Sequence, residues 1–244
     1  MATTLTGEQR FLKESAQRFL EGVVEPRVAK SEASGIFAWD LWPEIAKYGF
    51  IGAVLPTAQG GQGLARVDFA ILMEVAGYHW LGLRALLNVA NMVAGVIARH
   101  GSEAHKAQYL PALLAGERRG WGAITEPHHG SDLNSIETTA KDEGDHFVVN
   151  GTKQWITNGA GDFGILLARV VGEKGGLTAF LVDKTEVRYA VRPLETMILR
   201  STGTSELSFV DARVPRHALI GRVGDGLRTI LTTLNEGRVS VAAG

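Results

Sequence analysis

The apolar residues of this 244-residue chain change their spacing near Arg119, and that change constrains the fold more than any single motif. Before it they recur at helical intervals. Phe11, Leu12, Phe19, Leu20, Val23 and Val24 predict a first helix, with Pro26 as its stop. Leu41, Trp42, Ile45 and Ala46 predict a second within Trp39 to Tyr48, where Pro43 is tolerable in the first turn. Val67 to Ala76 and Ala85 to His100 read as buried helices, and Gln59 to Gly63 as a loop. Ser102 is the expected N-cap of a helix running to Tyr109, with Pro111 ending it. After Arg119 the pattern is of strands. Phe147-Val148-Val149, then Asn150-Gly151, then Gln154-Trp155-Ile156-Thr157 predict a two-residue hairpin. Ile165 to Val170, Leu177 to Val182 and Leu207 to Val210 continue as short strands, and no long helix separates them. An antiparallel sheet or barrel is therefore expected rather than a doubly wound fold. From Gly224, Leu227, Ile230, Leu231, Leu234 and Val241 return to helical spacing with no stop before Gly244. The expected class is α+β. It has an N-terminal all-helical domain at 1–118, an antiparallel β-barrel-like middle domain at 119–222, and at 223–244 the first helix of a truncated C-terminal helical bundle.

Composition excludes several chemistries. Lys plus Arg is 25 against Asp plus Glu at 26, so no basic surplus exists for a nucleic acid backbone. The absence of cysteine excludes disulfides, thiol nucleophiles and cysteine-held metals, and suits a reducing cytoplasm. The apolar stretch Ala85 to Ala98 is broken by Asn88 and Asn91 and is too short to cross a bilayer, so no membrane span is expected. Met1-Ala2-Thr3-Thr4 opens neither a signal nor a transit pattern, and a cytoplasmic protein is expected. Gly159-Ala160-Gly161-Asp162-Phe163-Gly164 matches a dinucleotide fingerprint, but the strand-like Ile165 to Ala168 follows where that motif needs a helix. It reads as a turn. His128-His129 lacks the spacing of a metal pair, and no metal site is expected.

The informative segments are Ala123-Ile124-Thr125-Glu126-Pro127-His128-His129-Gly130-Ser131-Asp132 and Lys153-Gln154-Trp155-Ile156-Thr157-Asn158-Gly159. About 30 residues apart, they resemble the flavin-binding core of the acyl-CoA dehydrogenase family. Leu55-Pro56 with Gly60 to Gly63, His100-Gly101-Ser102 to Glu117, Arg200-Ser201-Thr202, Val214-Pro215 and Leu219-Ile220-Gly221 are similar to that family's flanking segments, in the same order.

The resemblance implies FAD as cofactor, lined by Gly122, Ala123, Ile124, Thr125, Gly130, Ser131, Trp155, Ile156 and Thr157. It implies that Ile124 and Thr125 meet the pyrimidine edge of the flavin, that Thr157 bonds N5, and that Trp155 packs beside the ring. Donors along that edge favour the reduced cofactor, because reduction places negative charge there. Ser131 falls near the cofactor phosphates and the CoA arm, and Ser131, Asn235 and Arg238 are the implied substrate residues. The implied reaction is α,β-dehydrogenation of an acyl-CoA or acyl-carrier thioester, with an electron-transfer flavoprotein as acceptor and a homodimer or homotetramer as the assembly. Most members carry the catalytic Glu in a later helical domain, and the base is expected beyond Gly244. A branch of the family places it directly before an Arg, where this chain has Gly237 before Arg238. Glu236 lies about 100° around the helix from that position and is read as a solvated or capping charge. Two departures from the family pattern are His128-His129, where small residues are usual, and Ile198, where Gly is common. Two alternatives remain: a flavin oxidase or monooxygenase on the same fold, and a non-catalytic or heteromeric flavin-binding subunit.

Overall fold

The computed structural model describes residues 4–172 and 175–244. Thr6 starts α1 (Gly7–Phe19) with a capping box: its hydroxyl accepts from the Gln9 N–H at 3.2 Å while Gln9 Oε1 accepts the Thr6 N–H at 3.1 Å. Pro26 does not stop the chain. One π turn at Leu20–Val24, in which the Glu25 N–H bonds the Leu20 carbonyl, carries it into α2 (Glu25–Ser34) with Pro26 in the first turn. A proline inside a continuing helix removes an N–H donor and crowds the carbonyl four residues back, and the wider π turn makes room for it. A short 3₁₀ turn leads into α3 (Trp42–Tyr48), and α4 (Arg66–His79), α5 (Leu81–His100) and α6 (Glu103–Leu114) follow. Ser102 caps α6 as expected, its hydroxyl accepting the His105 N–H at 3.1 Å. Pro111, expected as the stop, lies inside that helix.

The length expectation for the apolar stretch also fails. As α5 it has 20 residues, long and apolar enough to cross a membrane, yet 67% of its apolar window is buried inside this protein. Its apolar faces are covered by the protein's own core, on one side with α3 and α4 and on the other with α6 and the sheet.

Among the described residues eight strands form one sheet: β1 (Gly120–Ala123), β2 (Thr139–Asp142), β3 (His146–Ile156), β4 (Phe163–Val170), β5 (Gly176–Asp183), β6 (Ala190–Pro193), β7 (Ser205–Pro215) and β8 (Leu219–Ile220). The order is β6-β7-β3-β2-β4-β5-β8, with β1 also on β4. The sheet is mixed rather than purely antiparallel, since β1 and β2 both pair parallel with β4. Parallel pairing needs a long crossover, usually a helix. Between β1 and β4 that crossover is the β2–β3 hairpin, which sequence periodicity could not distinguish from a simple meander. The sheet curls: β3 and β5 are three strand spacings apart, about 14 Å if flat, yet Phe147 and Phe180 meet at 4.9 Å. Trp121, Leu166, Val182 and Phe209 fill the space within the curl, while Phe163, Ile165 and Leu167 of β4 face α5 and α6.

Asn150-Gly151 is not a hairpin. β3 runs straight through it with a bulge against β7. The Asn150 amide stitches the bulge, donating to Asp211 Oδ1 at 3.1 Å and accepting the Asp211 N–H at 2.8 Å. Gly151 is required there, because its φ is +150° and a Cβ would strike Thr138 at 2.5–2.8 Å. The Gly159 to Gly164 segment is a turn running into β4, as expected. The chain closes with α7 (Gly226–Ala243), packed across α4 and α5.

Candidate functional site

β3 carries a second irregularity at its end, between Lys153 and Ile156. Inward-facing residues along this strand are Phe147, Val149 and Lys153, so strict alternation would bury residue 155. Instead Trp155 adopts φ +62°, stands 55% exposed, and Ile156 takes the inward place. Left-handed backbone at a bulky residue costs about 1–2 kcal/mol, and such strain collects at functional positions. The bulge thus turns a large flat indole out of the core at the point where β3 meets the exit of β1.

The two strand ends are tied together by backbone and by a buried ion pair. The Gln154 N–H donates to the Thr125 carbonyl at 2.9 Å. Lys153 is fully buried, and its ammonium donates to the Ile124 carbonyl at 3.1 Å and to Glu126 Oε1 at 2.8 Å. Glu126 also accepts the Thr138 N–H at 2.9 Å, the Thr138 hydroxyl at 2.5 Å and the Glu137 N–H at 2.7 Å. Burial lowers the Lys153 pKa to about 8, with Glu126 opposing the shift. Burial raises that of Glu126, but the bonds from Lys153, Thr138 and Glu137 outweigh it and hold the carboxyl below its usual value. Both groups are charged at neutral pH.

Around this anchor lie the residues singled out from sequence. Gly122 and Ala123 end β1, Ile124 is nearly buried, Ile156 is buried, and Thr125 and Thr157 are half-buried. Among the described residues neither threonine hydroxyl is hydrogen-bonded. Gly130 and Ser131 lie in the exposed loop after β1, and no hydrogen bond among the described residues ties them to β3. His129 is not simply a loop histidine. Its Nε2 lies 3.2 Å from Glu137, and Glu126, His129 and Glu137 offer ligand atoms within 4.8 Å of one another. The Glu126 carboxylate is already occupied by four donors, one of them cationic, so the group reads as a hydrogen-bond cluster.

The α7 residues form a second locus. Arg238 donates to Asn235 Oδ1 at 2.7 Å, and both are exposed. Glu236 is neither a solvated nor a capping charge: its two oxygens accept from Arg66 and from Arg99, joining α7 to α4 and α5. Gly237 faces Asn88 of α5, and Met92 of α5 reaches Gly122, where a Cβ would meet the Met92 methyl at 2.1 Å. The α5–α7 seam thereby abuts the end of β1. A larger cleft of about 690 Å³, between residues 58–60 and α6, includes none of these side chains.

Known proteins share this fold. Residues 6–117 match the acyl-CoA dehydrogenase N-terminal domain and residues 122–212 its middle domain. The chain belongs to the acyl-CoA dehydrogenase family. Mitochondrial isobutyryl-CoA dehydrogenase of Dictyostelium discoideum is 32% identical over 98% of this chain and 58% of its own length. The short-chain specific acyl-CoA dehydrogenase of Clostridium acetobutylicum is 32% identical over 100% and 65% respectively. Among solved structures, a glutaryl-coenzyme A dehydrogenase in complex with glutaryl-CoA superposes with a TM-score of 0.90 at 31% identity, covering 100% of this chain and 64% of that one. The chain therefore spans about three-fifths of the length of these acyl-CoA dehydrogenases.

Sequence reasoning assigned no role to Lys153, Glu126, Asn88 or Met92. A signal existed for two of them. Lys153 continues the inward alternation of Phe147 and Val149, so a buried charge was readable and demanded a nearby carboxylate. Asn88 interrupts an apolar helix. Only the placement of α7 shows what it faces.

Proposed function

We propose that this chain holds FAD at the junction of β1 and β3 and forms part of the acyl site of an acyl-CoA dehydrogenase. The observation that carries this reading is Trp155, held outward at φ +62° at the end of β3, where Thr157 follows it and Thr125 is bonded through its backbone, both hydroxyls without a hydrogen bond among the described residues. A flat, exposed ring and free donors on two strands locked together by Lys153 suit one face and the polar edge of an isoalloxazine. When bound, FAD would supply an acceptor for the β-hydrogen of the acyl thioester as hydride. Ile124 and Thr125 would supply contacts to the pyrimidine edge, Thr157 a donor near N5, and Ser131 a polar group toward the phosphates. Asn235 and Arg238 would orient the thioester from α7. Electrons would leave to an electron-transfer flavoprotein, and the working form would be a dimer or tetramer.

The α-proton needs an unencumbered carboxylate. Glu236 is not one, since both its oxygens are held by guanidinium groups, and position 237 is glycine. A second reading is a flavin-binding subunit whose base comes from elsewhere. Anaerobic titration separates the two. A yellow protein that bleaches with a saturated acyl-CoA supports the dehydrogenase, and one that binds FAD and thioester without bleaching supports the subunit. A colourless protein that FAD cannot reconstitute sinks both.

A further inference from the structure

Asn91 and Asn88 lie one turn apart on α5 and differ in their bonding. Asn91 is saturated: its Oδ1 accepts the Gly52 N–H at 2.9 Å, and its Nδ2 donates to the carbonyls of Phe50 and Leu87, each at 2.9 Å. It fastens α5 to the chain before α4. Asn88 has no hydrogen-bond partner among the described residues. Its amide points at α7, with Oδ1 3.2 Å from where a Cβ on Gly237 would stand. The space kept open by that glycine is a cavity of about 150 Å³ lined by Asn88, Met92, Thr233, Leu234, Gly237 and Arg238. Thr233 is already engaged, its hydroxyl donating to the Thr229 carbonyl at 3.3 Å. The Asn88 amide is thus the free hydrogen-bonding group on an otherwise largely apolar inner wall, and Arg238 stands at the exposed end.

The Asn88 amide is half-buried and reaches water through the cavity, so an apolar ligand that displaced this water would leave it unsatisfied. A ligand hydroxyl would answer both its donor and its acceptor, and a carboxylate oxygen would answer its donor. The charges nearby favour oxygen as well. Arg66, Arg99 and Arg238 stand along the seam with Glu236 among them, so a carboxylate would meet a cationic surplus. The modest size of the cavity, about 150 Å³, favours a short chain.

We infer that the acyl chain this seam accepts is short and carries an oxygen function, hydroxyl or carboxylate, beyond its β-carbon, recognised by Asn88. The inference rests on the proposed acyl thioester reading. Discrimination of this kind arises because a site built to hydrogen-bond a substrate oxygen rejects the analogue that lacks it.

The test compares three five-carbon thioesters, pentanoyl-CoA, 5-hydroxypentanoyl-CoA and glutaryl-CoA, titrated calorimetrically into the FAD-loaded protein. At least one oxygenated thioester is expected to bind about tenfold tighter than pentanoyl-CoA. The hydroxyl arm reads the amide, and the carboxylate arm adds the guanidinium surplus. Asn88→Leu, which removes no internal hydrogen bond, should reverse the order. Asn88→Asp should keep the hydroxyacyl ligand and lose the carboxylate one through like-charge repulsion. If pentanoyl-CoA binds the parent protein as tightly as both oxygenated thioesters, or if Asn88→Leu leaves the ranking unchanged, the inference falls while the thioester reading stands. If no thioester binds any of the proteins, both fall.

Discussion

The end of β1 and the α5–α7 seam both place polar groups within an apolar shell, and they are finished to different degrees. At β1, Lys153 and Glu126 bond each other, and further partners occupy the carboxylate. At the seam, Asn88 faces the hydrogen of Gly237 across an open cavity. The difference teaches what each region is for. A fully satisfied buried network has one geometry and holds its neighbours to it, here Ile124 and Thr125 against β3. A polar group left without a protein partner at an open cavity can exchange its water for a ligand, which suits a surface shaped for one.

The strongest way to break this comparison is to unmake the anchor. Lys153→Met leaves the Glu126 carboxylate buried without its cation and should cost about 3–5 kcal/mol in urea unfolding. Glu126→Gln combined with Lys153→Met should recover much of that loss. A cost below about 1 kcal/mol for the single variant would show that the pair does not organise the strand ends.

The pH dependence of stability probes the same anchor from both sides. Glu126, Asp162 and Asp183 have folded pKa values held below their ordinary ones, in each case by hydrogen bonds and cations that outweigh burial. Their contribution is present above the unfolded carboxylate range and is lost as pH falls through the folded values. Lys153 acts oppositely. With its folded pKa lowered to about 8 from 10.5, the unfolded chain binds more protons above pH 8, so this group makes stability rise between those values. Tyr189, pushed up to about 12 by burial, works against that rise from about pH 10. Thermal melts should therefore show a steep acid limb and a slight gain from pH 8 to 10. The gain should vanish in the Lys153→Met, Glu126→Gln double variant, and its persistence there would assign it to another group.

The smallest effect belongs to the seam. Gly237→Ala replaces a mid-helix glycine and meets only the free Asn88 side chain, at 3.2 Å. It should raise stability by roughly 0.5–1 kcal/mol, the ordinary gain of alanine over glycine in a helix. Destabilisation would mean that Asn88 is fixed in place, contrary to its role as a free group.

Much of the fold was legible because periodicity is local. The helix of Arg66–His79, the strands at 163–170 and 176–183, and the final helix follow from spacing alone. The misreadings share one cause. Pro26, Pro111 and Asn150-Gly151 are local signals for ending an element, and in each case the surrounding structure absorbs them: a π turn, a continued helix and a bulge stitched to Asp211. The mixed sheet was hidden for a related reason, since strand direction depends on which distant strand is the neighbour.

The amino-acid sequence by itself determined the family, the α+β order and the segments that hold the candidate flavin residues, because these reside in residue identity and local spacing. Only the tertiary structure decided that Trp155 is turned outward, that Lys153 neutralises Glu126, that Glu236 is consumed by two arginines, and that Asn88 is left free. Each of these depends on what a side chain meets across the fold. Hydrogen bonds and ion pairs act over a few ångströms, and in this chain their partners stand 27 to 170 residues apart.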